Sequence, residues 1–479
     1  MKQTAWKWID DNHDKLTSIS DEIWGYAEYG LCEDKSSKLI ADTLRDHGFK
    51  VQQGVAKMPT AILAEKGEGR PIIAVMGEYD ALPNLSNKKA PVKEALVEGG
   101  MGHGCGHNVH GTTALAAAIA AGKAMEEHGI KGTLRFYGTP AEENFSGKRI
   151  MVNHGLFDDV DAALSHHPGS LNVATLASSN VISGAYFHFH GRSSHAAGNP
   201  EAGRSALDAV ELMNVGVNFL REHIIPDARI HYVIESGGGQ PNVVPDYARS
   251  HYYIRAPDQE LLDPVKRRVM KIAEGAALMT ETRLEAEMSP GGYHKIPNKV
   301  LSTIVTANMR LVGPPEYSPK DYEFAAKIAE SFPNEDRVNG MRKYKVPDWE
   351  KYTDTDLVTT IFDAWNDGTT SPGSTDVADV SWITPTMEFN TCCNVNGAPG
   401  HSWQFTACSG TGIGHKSLIF AAKTMAGSVL DLLKDPELAK QAREEQQKRL
   451  RGKTYDQDPT VEPPLDRARE LAKTYTGKK

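Results

Sequence analysis

Long apolar runs are missing from this sequence: none reaches the roughly 18 residues that a membrane-crossing helix requires, so no transmembrane helix is expected. Cysteine is scarce. Cys32, Cys105, Cys392, Cys393 and Cys408 are an odd number spread thinly over 479 residues, unlike the dense, paired set of a secreted disulfide framework, and reduced thiols are expected. A basic excess is absent as well. The formal net charge is -9 at pH 7, whereas phosphate recognition needs clustered positive surface, so no nucleic-acid partner is expected. The opening residues, Met1-Lys2-Gln3-Thr4-Ala5-Trp6-Lys7-Trp8, lead into charged helical sequence without the apolar stretch of a secretory signal. Together these absences point to a cytoplasmic chain with no membrane partner.

What is present suits a large globular core. Hydrophobic residues make up 40% and charged residues 24%, ordinary proportions for a folded protein, and the length favours two domains. The first segment alternates helices and apolar strands. Leu39 to His47 reads as a helix stopped by Gly48, residues 71–77 as a buried strand, Thr112 to Ala124 as a tightly packed helix of small residues, and 132–138 as a further strand. That order is α/β. From about Ser183 the pattern changes to strict alternation, Ala185-Tyr186-Phe187-His188-Phe189-His190. It continues through a helix at 206–220, strand-like runs near 229–235 and 246–255 and a helix at 261–278, a β-α-β-β-α unit followed by residues 283–288. The turn Ser289-Pro290-Gly291-Gly292 then leads back towards α/β sequence. The expected organisation is therefore a catalytic domain in two parts, 1–182 and 290–479, with a smaller α+β unit inserted at 183–289. A polar stretch at about 313–371 reads as a further insertion, and Glu444 to Arg449 as part of a charged terminal helix.

Four segments carry chemistry. Gly102-His103-Gly104-Cys105-Gly106-His107-Asn108-Val109-His110-Gly111 crowds a thiol and three imidazoles into a glycine-rich turn, which suits a metal as well as it suits a histidine-decorated loop. Thr139-Pro140-Ala141-Glu142-Glu143 follows a buried strand, where open α/β sheets place their sites. One carboxylate there can ligate a metal while its neighbour moves a proton, although two solvated glutamates read equally well in isolation. Ser165-His166-His167-Pro168 and Gly400-His401-Ser402 place further imidazoles at a strand end and in a loop. Any one of these histidines alone is more often structural; the combination is what points to a shared metal centre.

The runs Gly77-Glu78-Tyr79-Asp80-Ala81-Leu82-Pro83, Cys105-Gly106-His107, Pro140-Ala141-Glu142-Glu143 and Ser193-Ser194-His195-Ala196-Ala197 resemble the aminoacylase, carboxypeptidase and auxin-conjugate amidohydrolase family of metallopeptidases over nearly the whole chain. Gly147-Lys148, Ser374-Thr375-Asp376-Val377, Asp379-Val380-Ser381-Trp382 and Gly414-His415-Lys416 are similar to one branch of it. The resemblance implies a catalytic domain with a mixed central sheet flanked by helices, and an inserted ferredoxin-like α+β domain serving as dimerisation lid. It also implies two divalent ions, manganese or zinc, held by Cys105, His107, Glu143, His167 and His401. Cys105 would be the bridging thiolate, Glu142 the general acid/base and Asp80 the residue that orients a ligand. His166 is the alternative to its neighbour His167. The lid would supply His195 to a partner's site, and Asn242 with Arg255 would hold the substrate carboxylate; an Arg255 merely paired with a nearby acid is the plainer alternative.

Two departures affect the metal pair: related carboxypeptidases carry His where Glu78 stands, and related amidohydrolases often carry Asp where Asn108 stands. The implied reaction is hydrolysis of the amide bond of a small N-acyl amino acid. The branch implies p-aminobenzoyl-glutamate, cleaved to p-aminobenzoate and glutamate, with dipeptides and auxin-type conjugates as alternatives. The implied assembly is a homodimer or a heterodimer with a paralogous subunit. Two other readings are a non-catalytic partner subunit, and an amidase using Cys105 with His107 as nucleophile and base and working without metal.

Overall fold

The computed structural model describes residues 1–289 and 291–475, which leaves Pro290 of the expected return turn outside the described residues. The chain divides into two compact units. One comprises Met1–Ala177, Ile296–Thr369 and Thr375–Lys479, and the other Ser178–Lys295 with Thr370–Ser374. Among the described residues, no helix is long and apolar enough to cross a membrane.

The larger unit is built on an eight-stranded mixed sheet. In spatial order its strands are Lys50–Gln53, Ile62–Glu68, Gly132–Gly138, Ile72–Gly77, Ala162–Gly169, Thr386–Cys392, Asn172–Val173 and Ile361–Phe362. The four central strands, Gly132–Gly138, Ile72–Gly77, Ala162–Gly169 and Thr386–Cys392, run parallel, so their carboxyl ends open on one edge of the sheet. Ile72–Gly77 is buried at every position, as a strand covered on both faces should be.

The long helix His107–His128 packs on this sheet, with Ala114 to Ala118 and Ala120 to Ala121 fully buried. It begins five residues earlier than its small-residue run suggests, inside the glycine-rich motif. Close packing explains why. A Cβ on Gly111 would stand 2.5 Å from the carbonyl oxygen of Glu78, so only glycine lets the first turns of the helix descend onto the strand end. Helix Gly412–Lys434 joins the same core.

The polar stretch folds into helices Pro319–Ala329 and Asn334–Lys343 and a short 3₁₀ turn, Trp349–Tyr352. Ser318 and Asp321 form a reciprocal capping box at the first of these helices, which explains why so polar a segment is helical.

The smaller unit is a four-stranded antiparallel sheet in the order Arg283–Met288, Val181–His190, Tyr247–Ala256 and Arg229–Ser236. Burial alternates strictly along Val181–His190. Phe187, Phe189, Tyr252 and Ile254 face the helices Ala206–Leu220 and Gln259–Thr280. The chain order is strand, helix, two strands, helix, strand. The period-2 pattern of the sequence and the apolar stripes of the two helices meet in one core.

Candidate metal centre

All the chemistry-bearing segments of the larger unit reach the carboxyl ends of its parallel strands. Asp80 follows Ile72–Gly77, Glu142 and Glu143 follow Gly132–Gly138, and His167 lies near the end of Ala162–Gly169. His401 lies beyond Thr386–Cys392, and His107 occupies the first turn of the long helix.

Two groups of ligand atoms form there, each with its atoms within 4.8 Å of one another: Cys105, His107 and His167, and Cys105, Glu143 and His401. Cys105 belongs to both. Its Sγ lies 3.4 Å from His167 Nε2, and His401 Nε2 lies 3.3 Å from Glu143 Oε1. A third group, Glu78, His107 and Glu142, adjoins them.

Hydrogen bonds behind these atoms decide which ones face the cleft. His107 Nδ1 donates to Asp80 Oδ1 at 2.8 Å, which turns its Nε2 towards Glu78 Oε2, 3.1 Å away. The other Asp80 oxygen accepts the Glu143 backbone N–H at 3.0 Å. His167 Nδ1 donates to the Pro168 carbonyl at 2.8 Å, which leaves Nε2 for the cleft. Its neighbour His166 points to the opposite face of the strand, where Nε2 meets Thr391 Oγ1 at 2.7 Å in the core.

The donor set fits a cation. Glu78 Oε2, His107 Nε2 and Glu143 Oε1 are buried with no hydrogen-bond partner. Burial opposes it, but Glu78 and Asp80 raise the His107 pKa well above its ordinary value, so these buried carboxylates call for positive charge here, and a divalent ion would supply it. Thiolate, imidazole and carboxylate together are the ligands such an ion takes. Burial, and then Glu143, push the Cys105 thiol well above its ordinary pKa, with His107 pulling the other way. A bound cation is what would make it a thiolate.

Glu142 lies beside both groups. Burial first, then the charges of Glu143, Glu78 and Asp376, raise its pKa well above the carboxylate range, while Lys148 opposes them. A carboxyl whose charged form is so disfavoured readily takes up a proton.

Three residues of the wall had no assigned role in the sequence. Lys148 is fully buried, and its Nζ donates to Glu78 Oε1 at 2.5 Å and to Asp376 Oδ1 at 2.6 Å. Burial would lower its pKa, but Asp376 and Glu78 raise it, so it stays an ammonium. Asp376 is pushed up to about 6 by burial, with Lys148 opposing. Glu33, raised to about 8 by burial and by Asp80, accepts the Ala141 N–H at 2.8 Å and so fixes the turn before Glu142. Lys148 and Asp376 stand in the branch motifs Gly147-Lys148 and Ser374-Thr375-Asp376-Val377, which was the available signal; Glu33 had none.

The remaining candidate residues lie in the smaller unit. His195 is exposed, and its Nδ1 accepts the N–H groups of Ala197 and Gly198 at 3.2 and 2.9 Å, which leaves Nε2 as an N–H donor. Its backbone pairs with Val243, and the Ala196 N–H donates to the Asn242 carbonyl at 3.0 Å, so His195 and Asn242 are neighbours.

Arg255 is not with them. Tyr247 opposes His190, and Arg255 opposes Ile182 at the other end of the same strand pair. Eight residues at about 3.3 Å each put Arg255 roughly 26 Å from the His195 end of the sheet. Among the described residues its hydrogen-bond partner is Ser374, 3.3 Å from Nη1, and no carboxylate is within ion-pair distance.

Residues 74–407 match the model of peptidase family M20/M25/M40. The chain belongs to this family. Members of it resemble the chain over most of its length. A p-aminobenzoyl-glutamate hydrolase subunit of Escherichia coli (strain K12) is 40% identical over 93% of this chain and 95% of its own. The Xaa-Arg dipeptidase of Mus musculus is 27% identical over 93% of this chain and 92% of its own. Among solved structures, a Bacillus subtilis protein described as a dinuclear metal-binding peptidase of family M20 superposes with a TM-score of 0.58 at 18% identity. It covers 89% of this chain and 99% of its own.

Proposed function

We propose that this chain is a two-metal amidohydrolase that releases the amino acid from an N-acyl amino acid, with p-aminobenzoyl-glutamate as the preferred substrate. The sharing of Cys105 by two ligand groups, with Glu142 alongside, carries this reading. Cys105, His107 and His167 would hold one ion, and Cys105, Glu143 and His401 the other. The 40% identity with a p-aminobenzoyl-glutamate hydrolase subunit supports the choice of substrate.

When bound, the ions supply Lewis acidity that polarises the amide carbonyl and acidifies water. The residues supply the rest. Glu142 accepts a proton from the attacking water and returns it to the leaving amine nitrogen. His195, with Nε2–H free to donate, stabilises the oxyanion that forms on the amide oxygen. Arg255, half-buried with no carboxylate partner among the described residues, offers a bidentate fork to the substrate carboxylate. Because His195 with Asn242 and Arg255 occupy opposite ends of one sheet, a single copy of the smaller unit cannot bring all three to one substrate carboxylate and its amide. That separation supports a reading in which His195 and Asn242 act on the site of a second subunit, either another copy or a paralogue; the Escherichia coli relative is itself named as one subunit of a hydrolase, which is consistent with both. Five unpaired thiols fit a cytoplasmic location.

The test is glutamate release from p-aminobenzoyl-glutamate, beside a panel of N-acyl amino acids and dipeptides, by chain stripped with chelator and then supplied with manganese or zinc. Release restored by metal is the expected result, and the preferred panel member names the substrate class. Release that persists after complete metal removal would overturn the reading and favour a thiol nucleophile.

A further inference from the structure

We infer that the helical segment at 313–371 is a brace for the loop that carries His401, and that Arg337 is the positioning residue at its centre. The inference rests on the proposed two-metal reading.

The His401 side chain is 57% exposed, so the backbone of its loop bears much of its positioning. Its backbone is at a φ of 49°, a left-handed conformation that a non-glycine residue keeps only when its flanks are fixed. On the C-terminal side, Ser402 caps helix Trp403–Ser409, its hydroxyl accepting the Phe405 N–H and donating to the Pro399 carbonyl at 2.7 Å. On the N-terminal side the anchor comes from the 313–371 segment. Arg337 is only 6% exposed, and its guanidinium donates to the Asn396 carbonyl at 3.1 Å, to the Thr353 carbonyl at 3.0 Å and to Asp356 Oδ1 at 2.7 Å. Asn396 returns the contact: its N–H donates to the Asp356 carbonyl at 2.8 Å, and its amide donates to the Tyr352 and Thr355 carbonyls at 3.0 and 3.2 Å.

The two segments are in direct backbone proximity. A Cβ on Gly397 would lie 2.8 Å from Arg337 Cα, and Gly397 has a φ of +92°, so glycine alone fits. Tyr317 donates its hydroxyl hydrogen to the Cys392 carbonyl, and Ile328, Leu357 and Ala325 share a buried cluster with Val395 and Ala407. A buried guanidinium that gathers three acceptors from two segments is expensive to desolvate, and it fixes the position of both. Four residues, Gly397 to Gly400, separate the stitched Asn396 from His401.

Arg337→Met keeps the bulk and removes the stitch. Zinc titration of the chelator-stripped full chain, followed by competition with a chromophoric chelator, reads each metal equivalent separately. The expected result is that one equivalent binds roughly 10-fold to 100-fold more weakly than in the parent chain while the other is unchanged. His401→Ala should weaken the same equivalent, and the double variant should be no weaker than His401→Ala alone, because both changes act through one ligand. A merely structural arginine would lower thermal stability and leave both equivalents as in the parent; that result overturns the inference. If Arg337→Met does not fold, Asn396→Ala removes two bonds of the same stitch and carries the same expectation. Should the parent chain itself take up fewer than two equivalents, it is the two-metal reading that has failed, and the brace with it.

Discussion

One carboxylate, that of Asp80, holds His107 by its ring nitrogen at 2.8 Å and Glu143 by its backbone N–H at 3.0 Å. A residue from the helix and one from a strand end are thus set by a single side chain, and each belongs to a different ligand group around Cys105. Asp80→Asn should disturb both groups together, because an amide cannot accept at both ends. The expected outcome is a loss of roughly 10-fold to 100-fold in the affinity of both metal equivalents, measured by the same zinc competition. A change confined to one equivalent would show that Asp80 serves only one ligand.

Glu142 and Glu143 are adjacent in sequence but separable in role. Glu142→Gln should retain both metal equivalents and lose about 100-fold to 10,000-fold in turnover. Glu143→Gln should lose metal. Metal content by elemental analysis, beside steady-state rates, distinguishes them, and undiminished turnover in Glu142→Gln would remove the proposed proton carrier.

Lys148 compensates two buried carboxylates. Lys148→Met leaves Glu78 and Asp376 facing each other without a counter-charge in a fully buried wall. The expected cost is about 3 to 5 kcal/mol of unfolding free energy, read from urea unfolding of chelator-stripped protein. Asp376→Asn should be milder, since Glu78 still neutralises the ammonium.

His195 carries the test of assembly. His195→Ala should lose about 100-fold to 1,000-fold in turnover with both metal equivalents intact. Mixing it with Glu142→Gln under conditions that exchange subunits should recover activity that neither variant has alone, since a mixed dimer rebuilds one complete site. No recovery after verified exchange would place His195 on its own subunit's site.

Acid stability should report on His103. Burial first, and then the charge of His107, bring its pKa down to about 3. Its folded pKa is therefore below the unfolded value near 6.5, so the folded state binds fewer protons than the unfolded one on acidification. The stabilisation is complete above about pH 6.5 and is lost towards pH 3, at about 1.4 kcal/mol per pH unit for one proton. Urea unfolding of stripped chain between neutral and acid pH should show a shallower decline in His103→Gln than in the parent.

The candidate ligands are legible in the sequence because their signals are local. Cys105 and His107 sit in one glycine-rich turn, and Glu142 and Glu143 follow a strand that reads clearly as buried. Between His166 and His167 the sequence offers only the resemblance, which favours His167, whereas the strand adds a physical reason: consecutive side chains face opposite ways, and the Thr391 hydroxyl takes His166. Contacts of long range were hidden. Lys148 meets Glu78 across 70 residues and Asp376 across 228, and no periodicity encodes such a pairing. The separation of Arg255 from Asn242 follows from strand register, which is legible only once His190 is known to oppose Tyr247. The small-residue helix was legible in type but not in its start, because Gly111 reads as a breaker until the close approach to Glu78 is seen. In the smaller unit the bounds of helix Ala206–Leu220 are plain because amphipathic spacing is strong there, whereas Arg283–Met288, an edge strand with alternate residues exposed, carries a weaker pattern and is not read as a strand.

Because one sulfur stands in both candidate ligand groups, the proposed centre would have a single point of oxidative failure. Conversion of Cys105 to a sulfenic acid would withdraw a soft donor from both groups in one chemical event, whereas damage to any one histidine would touch only one of them. Cys392, Cys393 and Cys408, buried in the core, give an oxidant no comparable target.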